Sequence, residues 1–138
     1  MRLVLICVGK IKTPFADDVA HYQRLLGRQA RLEVTEVAEA DGILKRIPGD
    51  AHVILLDRQG EQLTSEELAA FIAERRLART DLCFVLGGPV GVGPGVRERS
   101  QRRMAFGRIT LPHQLARVVL LEQLFRAHKI LAGEPYHY

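Results

Sequence analysis

Apolar positions in this chain fall into short unbroken runs that alternate with longer stretches of helical period. The runs at 3–8, 53–56 and 82–86 are continuous and end at glycine or polar turns, the pattern of strands buried on both faces. Residues 32–37 alternate weakly and predict a further strand, and residues 109–111 predict a fifth. Between the first two strands, Phe15, Val19, Tyr22 and Leu26 recur at helical spacing. Thr13-Pro14 reads as the start of that helix, a capping hydroxyl with proline at the first helical position, and Gly27 as its end. Residues 41–47 predict a short helix stopped by Pro48-Gly49. Thr64 with Glu67 has the spacing of a capping box, opening a helix that carries Leu68, Phe71 and Ile72. After the glycine-rich stretch that follows residue 86, Arg97, Arg99, Arg102 and Arg103 read as one basic helix. The longest helix is expected over 115–131, closed by Gly133 and Pro135. Strands alternating with helices imply an α/β fold, a mostly parallel sheet with helices on both faces. No repeat or linker interrupts the pattern, which predicts one domain over 1–138. The last helix is apolar on more than one side, through Leu115, Val118, Val119, Leu121, Leu124, Phe125, Ile130 and Leu131. A helix packed only on a sheet needs one stripe, so a second buried face, and hence a homodimer, is expected.

Composition narrows the class. At 138 residues, 47 % hydrophobic and 26 % charged, the chain has the balance of a soluble globular domain. The net charge of +4 permits a polyanionic partner such as RNA without requiring one. Cys7 and Cys83 each sit inside an apolar run, with no CxxC and no Cys/His cluster, so no metal is expected and a reducing, cytoplasmic compartment fits. The opening apolar run is too short for a signal peptide, and no run approaches a membrane span.

Four constellations could carry chemistry. Leu86-Gly87-Gly88-Pro89-Val90-Gly91 follows a strand, where glycines let backbone approach a ligand closely; it is neither a Walker loop nor an opening GxGxxG. Asp57, at a strand end, can bind a ligand hydroxyl or cap its own turn. Ile109-Thr110-Leu111-Pro112-His113 leads into the long helix, where His113 can serve as base, hydrogen-bond donor or cap. The tail Gly133-Glu134-Pro135-Tyr136-His137-Tyr138 concentrates rings that can stack on bases and a histidine that can move a proton.

In order and spacing, Leu56-Asp57, Gly87-Gly88-Pro89-x-Gly91, Thr110-Leu111-Pro112-His113 and the Pro135-Tyr136-His137 ending resemble one family. So do the helix segment Arg117-Val118-Val119-Leu120-Leu121-Glu122-Gln123-Leu124 with Arg126-Ala127 and the opening Val8-Gly9-Lys10. This is the ribosomal RNA large subunit methyltransferase H group of the SPOUT superfamily, and the resemblance covers essentially the whole chain. It implies a C-terminal trefoil knot, a homodimer with the active site at the subunit interface, and methyl transfer from S-adenosylmethionine to N3 of a pseudouridine in 23S rRNA of the assembled ribosome. It places cofactor contacts, mainly backbone, on Leu56, Gly88, Gly107, Arg108, Ile109, Thr110, Leu111 and Pro112. Catalytic roles fall on His137 and Tyr136, with His113 the second candidate base. Three features depart from the pattern: Tyr138 stands where a basic residue usually follows Tyr-His, Val90 where some members carry an acid, and residues 38–50 form a shorter segment. A transfer RNA substrate, or a non-catalytic nucleotide-binding module on the ribosome, are the competing readings; calorimetry with S-adenosylmethionine separates enzyme from module.

Overall fold

The computed structural model describes residues 1–136. Five strands, β1 (Arg2–Val8), β2 (Arg31–Val37), β3 (His52–Gln62), β4 (Leu82–Leu86) and β5 (Arg102–Ala105), form one sheet in the order β2-β1-β4-β3-β5. Every pairing is parallel. The unbroken apolar runs follow from this, because a parallel sheet is covered on both sides. Leu3, Leu5 and Cys7 of β1 join Leu82, Phe84 and Leu86 of β4 on one face. Val4, Ile6, Cys83 and Val85 point to the other. The first face is covered by α1 (Ala16–Gly27), α2 (Ser65–Leu77) and α4 (His113–Leu131), with α4 packed against both of the others. The second face lies under two single-turn 3₁₀ helices, Ala40–Gly42 and Leu44–Arg46, and the short α3 (Pro94–Arg99).

The capping box forms as its spacing requires. Thr64 Oγ1 accepts the Glu67 N–H at 3.0 Å, and Glu67 returns the contact to the Thr64 N–H at 2.9 Å. Other sequence expectations are corrected. Thr13-Pro14 does not cap α1: the Phe15 and Ala16 N–H groups both bond to Lys12 O in a turn, and the helix starts at Ala16. The expected helix at 41–47 is the pair of 3₁₀ turns. The fifth strand is not 109–111, which is loop, with Ile109 81 % exposed. It is β5, whose Arg102 and Arg103 had been assigned to the basic helix; α3 stops at Arg99. Nor does β3 end at Leu56. It bulges beyond that residue and returns, so that Met104 of β5 is paired with both Leu56 and Glu61. On the return, Gly60 lies flat against β5: a Cβ there would stand 2.5 Å from Met104 N.

Part of the apolar surface on α4 is used within the chain. Leu120, Leu121, Leu124, Phe125 and Ala127 are buried, while Leu115, Val118 and Val119 stay half-buried. His128 is buried with them. Its Nδ1 donates to Leu124 O at 2.8 Å, and among the described residues Nε2 has no hydrogen-bond partner. Burial, assisted by Arg76 and opposed by the Leu124 carbonyl, lowers its pKa. The unfolded chain therefore binds this proton more readily than the folded one. The contribution is complete above the ordinary imidazole pKa of about 6.5 and is lost as pH falls below it. Urea unfolding between pH 7.5 and 5 should show stability falling toward the acid side, with part of that slope absent in His128→Leu. Identical slopes in the two proteins would contradict the account.

Candidate functional site

Loops from the carboxyl ends of β3, β4 and β5 meet around a cavity of about 600 Å³. This is where parallel α/β sheets bind ligands, and the size suits a small organic molecule, roughly 300–1,000 Å³. Leu56, Asp57 and Arg58 come from β3, Gly87 to Pro89 and Gly91 from the loop after β4, and Met104 to Phe106 from β5 and its exit. Gly107 and residues 109–112 form a further wall, and His113, the first residue of α4, closes it. Gly87 and Gly88, directly after β4, leave no room for a side chain. A Cβ on Gly88 would stand 3.1 Å from Val8 Cγ1, so backbone itself forms the wall beside β1. Gly107 turns the exit of β5 with φ +117°, a conformation side chains resist. Among the described residues, no backbone hydrogen bond outside helices and strands involves residues 107–111, so these amides and carbonyls remain available to a ligand.

The start of α4 is fixed by the opening of the chain. Arg117, buried, donates to Glu36 at 2.6 Å and to Gly9 O at 3.0 Å, and Glu36 also accepts the Ile11 N–H at 2.9 Å. Gln114 bridges Lys10 O and the Lys12 N–H. Burial opposes ionisation of Glu36, but Arg117, the Ile11 N–H and Lys10 together hold its pKa below the usual value.

Of the residues singled out from sequence, Leu56, Gly88, Gly107, Ile109, Thr110, Leu111, Pro112 and His113 all line this one cavity. Arg108 lies in the same loop with its side chain exposed and is not part of the lining. Tyr136 is elsewhere. Its hydroxyl donates to Glu122 at 3.0 Å, its ring meets Phe125 edge-on at 4.9 Å, and the Arg126 guanidinium covers it. Burial, then the Glu122 contact, pushes its pKa up to about 12. Nine residues of helix separate Glu122 from His113, roughly 13 Å along the axis. His137 lies outside the described residues. Sequence reading gave Arg58, Met104 and Phe106 no place in the lining; only the bulge of β3 around β5 brings them there. Asp57, weighed both ways, does cap its turn, accepting the Gln59 N–H at 3.1 Å, yet also faces the cavity.

Comparison with known proteins places the fold and the family. A family model described as "Predicted SPOUT methyltransferase" matches residues 1–137. A Bordetella pertussis structure described as a "Probable Methyltransferase" superposes with a TM-score of 0.59 at 14 % identity, over 92 % of this chain and 94 % of that one. A Legionella pneumophila structure described as a "putative methyltransferase" with bound SAM gives 0.54 at 11 %, over 92 % and 66 %. The family match over residues 1–137, on a chain with this fold, makes it a SPOUT methyltransferase, a class that uses S-adenosylmethionine. Two relatives are each called ribosomal RNA large subunit methyltransferase H. The one from Rubrobacter xylanophilus is 46 % identical over 99 % of this chain and 98 % of its own length. The one from Bifidobacterium adolescentis is 41 % identical over 99 % of both. This chain belongs to the ribosomal RNA large subunit methyltransferase H family.

The residues present fit the cofactor. Aliphatic walls from Leu56, Ile109 and Leu111 suit a purine and a methylene chain, and the backbone of 107–111, without hydrogen-bond partners among the described residues, can read base edges. Gly88→Val would press on Val8 and push the loop after β4, which lines the cavity, out of place. It is expected to weaken S-adenosylmethionine binding about 100-fold or more, the effect of a few kcal/mol, with the circular dichroism unchanged. Calorimetry giving wild-type affinity in a folded variant would remove Gly88 from the site.

Proposed function

We propose that this chain methylates N3 of a pseudouridine in 23S rRNA within the assembled ribosome, as a cytoplasmic homodimer built from a single domain over 1–138. The observation that carries the reading is a full-length likeness to relatives of that name combined with one cavity at the strand ends. The family's C-terminal trefoil knot is part of the proposal. When bound, S-adenosylmethionine supplies an electrophilic methyl group on a sulfonium. The chain's own part is alignment and proton removal. The walls formed by Leu56, Gly88 and 107–112 hold donor and acceptor in contact, which can supply roughly 7–11 kcal/mol at best. A base must take the N3–H proton, worth roughly 10²–10⁴-fold. We assign that role first to His137, with Tyr136 as its neighbour on the tail, and second to His113, which already lines the cavity.

Tyr136 is anchored along α4 away from its own cavity, so the tail serves the partner's site. The half-buried Leu115, Val118 and Val119, with Val90 88 % exposed and Ile109 81 % exposed near the cavity, supply an apolar surface for that dimer. Sedimentation should give a mass near twice 15.5 kDa. Methyl transfer to ribosomes lacking the modification, set against free 23S RNA and transfer RNA, with mapping of the product nucleotide, tests the whole reading. Transfer to tRNA alone would replace the substrate, and cofactor binding without transfer to any of them would leave a binding module.

A further inference from the structure

Charge at one corner of the cavity does not balance. Asp57 is the carboxylate of the lining and sits largely shielded, its side chain 12 % exposed. Its Oδ1 is used by the Gln59 N–H. Its Oδ2 is shared by two guanidiniums, Arg97 at 2.8 Å and Arg103 at 3.7 Å. The Gln59 N–H, opposed by burial and reinforced by both arginines, holds the Asp57 pKa below the usual carboxylate range. One carboxylate therefore serves two cations, and Arg58 adds a third guanidinium to the same wall. Arg97 is the one that both touches Asp57 and lines the cavity. It contributes a single nitrogen, Nη1, to that contact. Among the described residues its other donors have no hydrogen-bond partner, and its side chain is 48 % exposed. A cavity-lining guanidinium pinned at one corner through a single nitrogen keeps donors free for a second oxyanion.

We propose that Arg97 is an oxyanion receptor at the cavity, and that Asp57 is its positioning residue rather than a ligand-hydroxyl acceptor. The proposal rests on the reading of this cavity as the S-adenosylmethionine site. The oxyanion has two chemical sources: the carboxylate on the amino-acid end of the cofactor, or a phosphate of the RNA beside the target base. A lysine would supply the charge without the planar fork, so the geometry predicts that Arg97→Lys restores only part of the function.

The test uses the intact protein and the variants Arg97→Met, Arg97→Lys and Asp57→Asn, each checked for fold by circular dichroism. Calorimetry is run with S-adenosylmethionine and with its decarboxylated form, and binding to unmodified ribosomes is measured against salt. If the cofactor carboxylate is the partner, Arg97→Met weakens S-adenosylmethionine about tenfold or more, as for loss of a charge-assisted bond, and leaves the decarboxylated form unchanged. If an RNA phosphate is the partner, both cofactor forms bind as in wild type, ribosome binding weakens about tenfold, and its salt dependence falls by about one counterion. In either arm Asp57→Asn should move the same affinity by a smaller factor, and Arg97→Lys should lie between wild type and Arg97→Met. Unchanged affinity for cofactor and ribosome in Arg97→Met overturns the proposal, while loss of all ligands together assigns Arg97 to the fold and overturns it as well. Wild-type protein that binds no S-adenosylmethionine would instead overturn the cofactor assignment itself.

Discussion

Gly60→Ala is expected to cost about 3 kcal/mol of stability, the upper end of what overpacking does, and a large part of the 5–15 kcal/mol typical of a domain. The added Cβ would stand 2.5 Å from Met104 N and 2.6 Å from Arg103 C. Both are backbone atoms of β5, so no rotamer change can yield; the strand itself must move. β5 supplies Met104 to Ala105 to the cavity and leads directly into the 107–112 wall. Cofactor affinity should therefore fall together with stability. Gly49→Ala is the matched control, because nothing lies within 4 Å of its Cβ position; it should leave the urea midpoint unchanged or raise it slightly. Equal midpoints for Gly60→Ala and wild type would mean that β3 and β5 do not cross as closely as described.

Removing His137 and Tyr138 is expected to cut methylation of ribosomes about 100-fold or more, the scale of a lost general base, with no change in urea unfolding. Tyr136 stays in place in that truncation, held by Glu122, Phe125 and Arg126. Tyr136→Phe removes only the hydroxyl contact to Glu122, at a stability cost of about 1 kcal/mol. His137→Ala should lower kcat while leaving ribosome binding intact, the signature of an interaction made mainly in the transition state. A truncated enzyme working at the normal rate would transfer the role of base to His113. In that case His113→Ala would carry the large loss.

The parts of the fold that local sequence determines were readable in advance. Leu82–Leu86 is apolar at every position because both faces are covered. The Thr64–Glu67 box closes within four residues. What escaped was set by distant partners. β5 has four residues, too few to display a period, and opens with two arginines that resemble a helix surface. Arg102 pairs with Glu61 on the returning part of β3, a contact invisible until that bulge is known. Ile109-Thr110-Leu111 reads as a strand because it opens on two β-branched residues, whereas Ile109 is exposed beside the cavity. The cavity wall was legible through its glycines and Pro112, which constrain backbone locally. The charged corner was not: Asp57, Arg97 and Arg103 come from three elements and meet only in the folded sheet.

The position of α4 has a consequence for how the protein is made. It is the last element among the described residues, yet it packs between α1 and α2 over the middle of the sheet. Leu3, Leu5 and Phe84 have no complete cover until it is in place. Arg117 must also arrive before Glu36 and Gly9 O, more than eighty residues earlier in the chain, find their partner. During synthesis the growing polypeptide therefore holds an open apolar face from its first strand until residues 113–131 have emerged, and closure of the core waits on them.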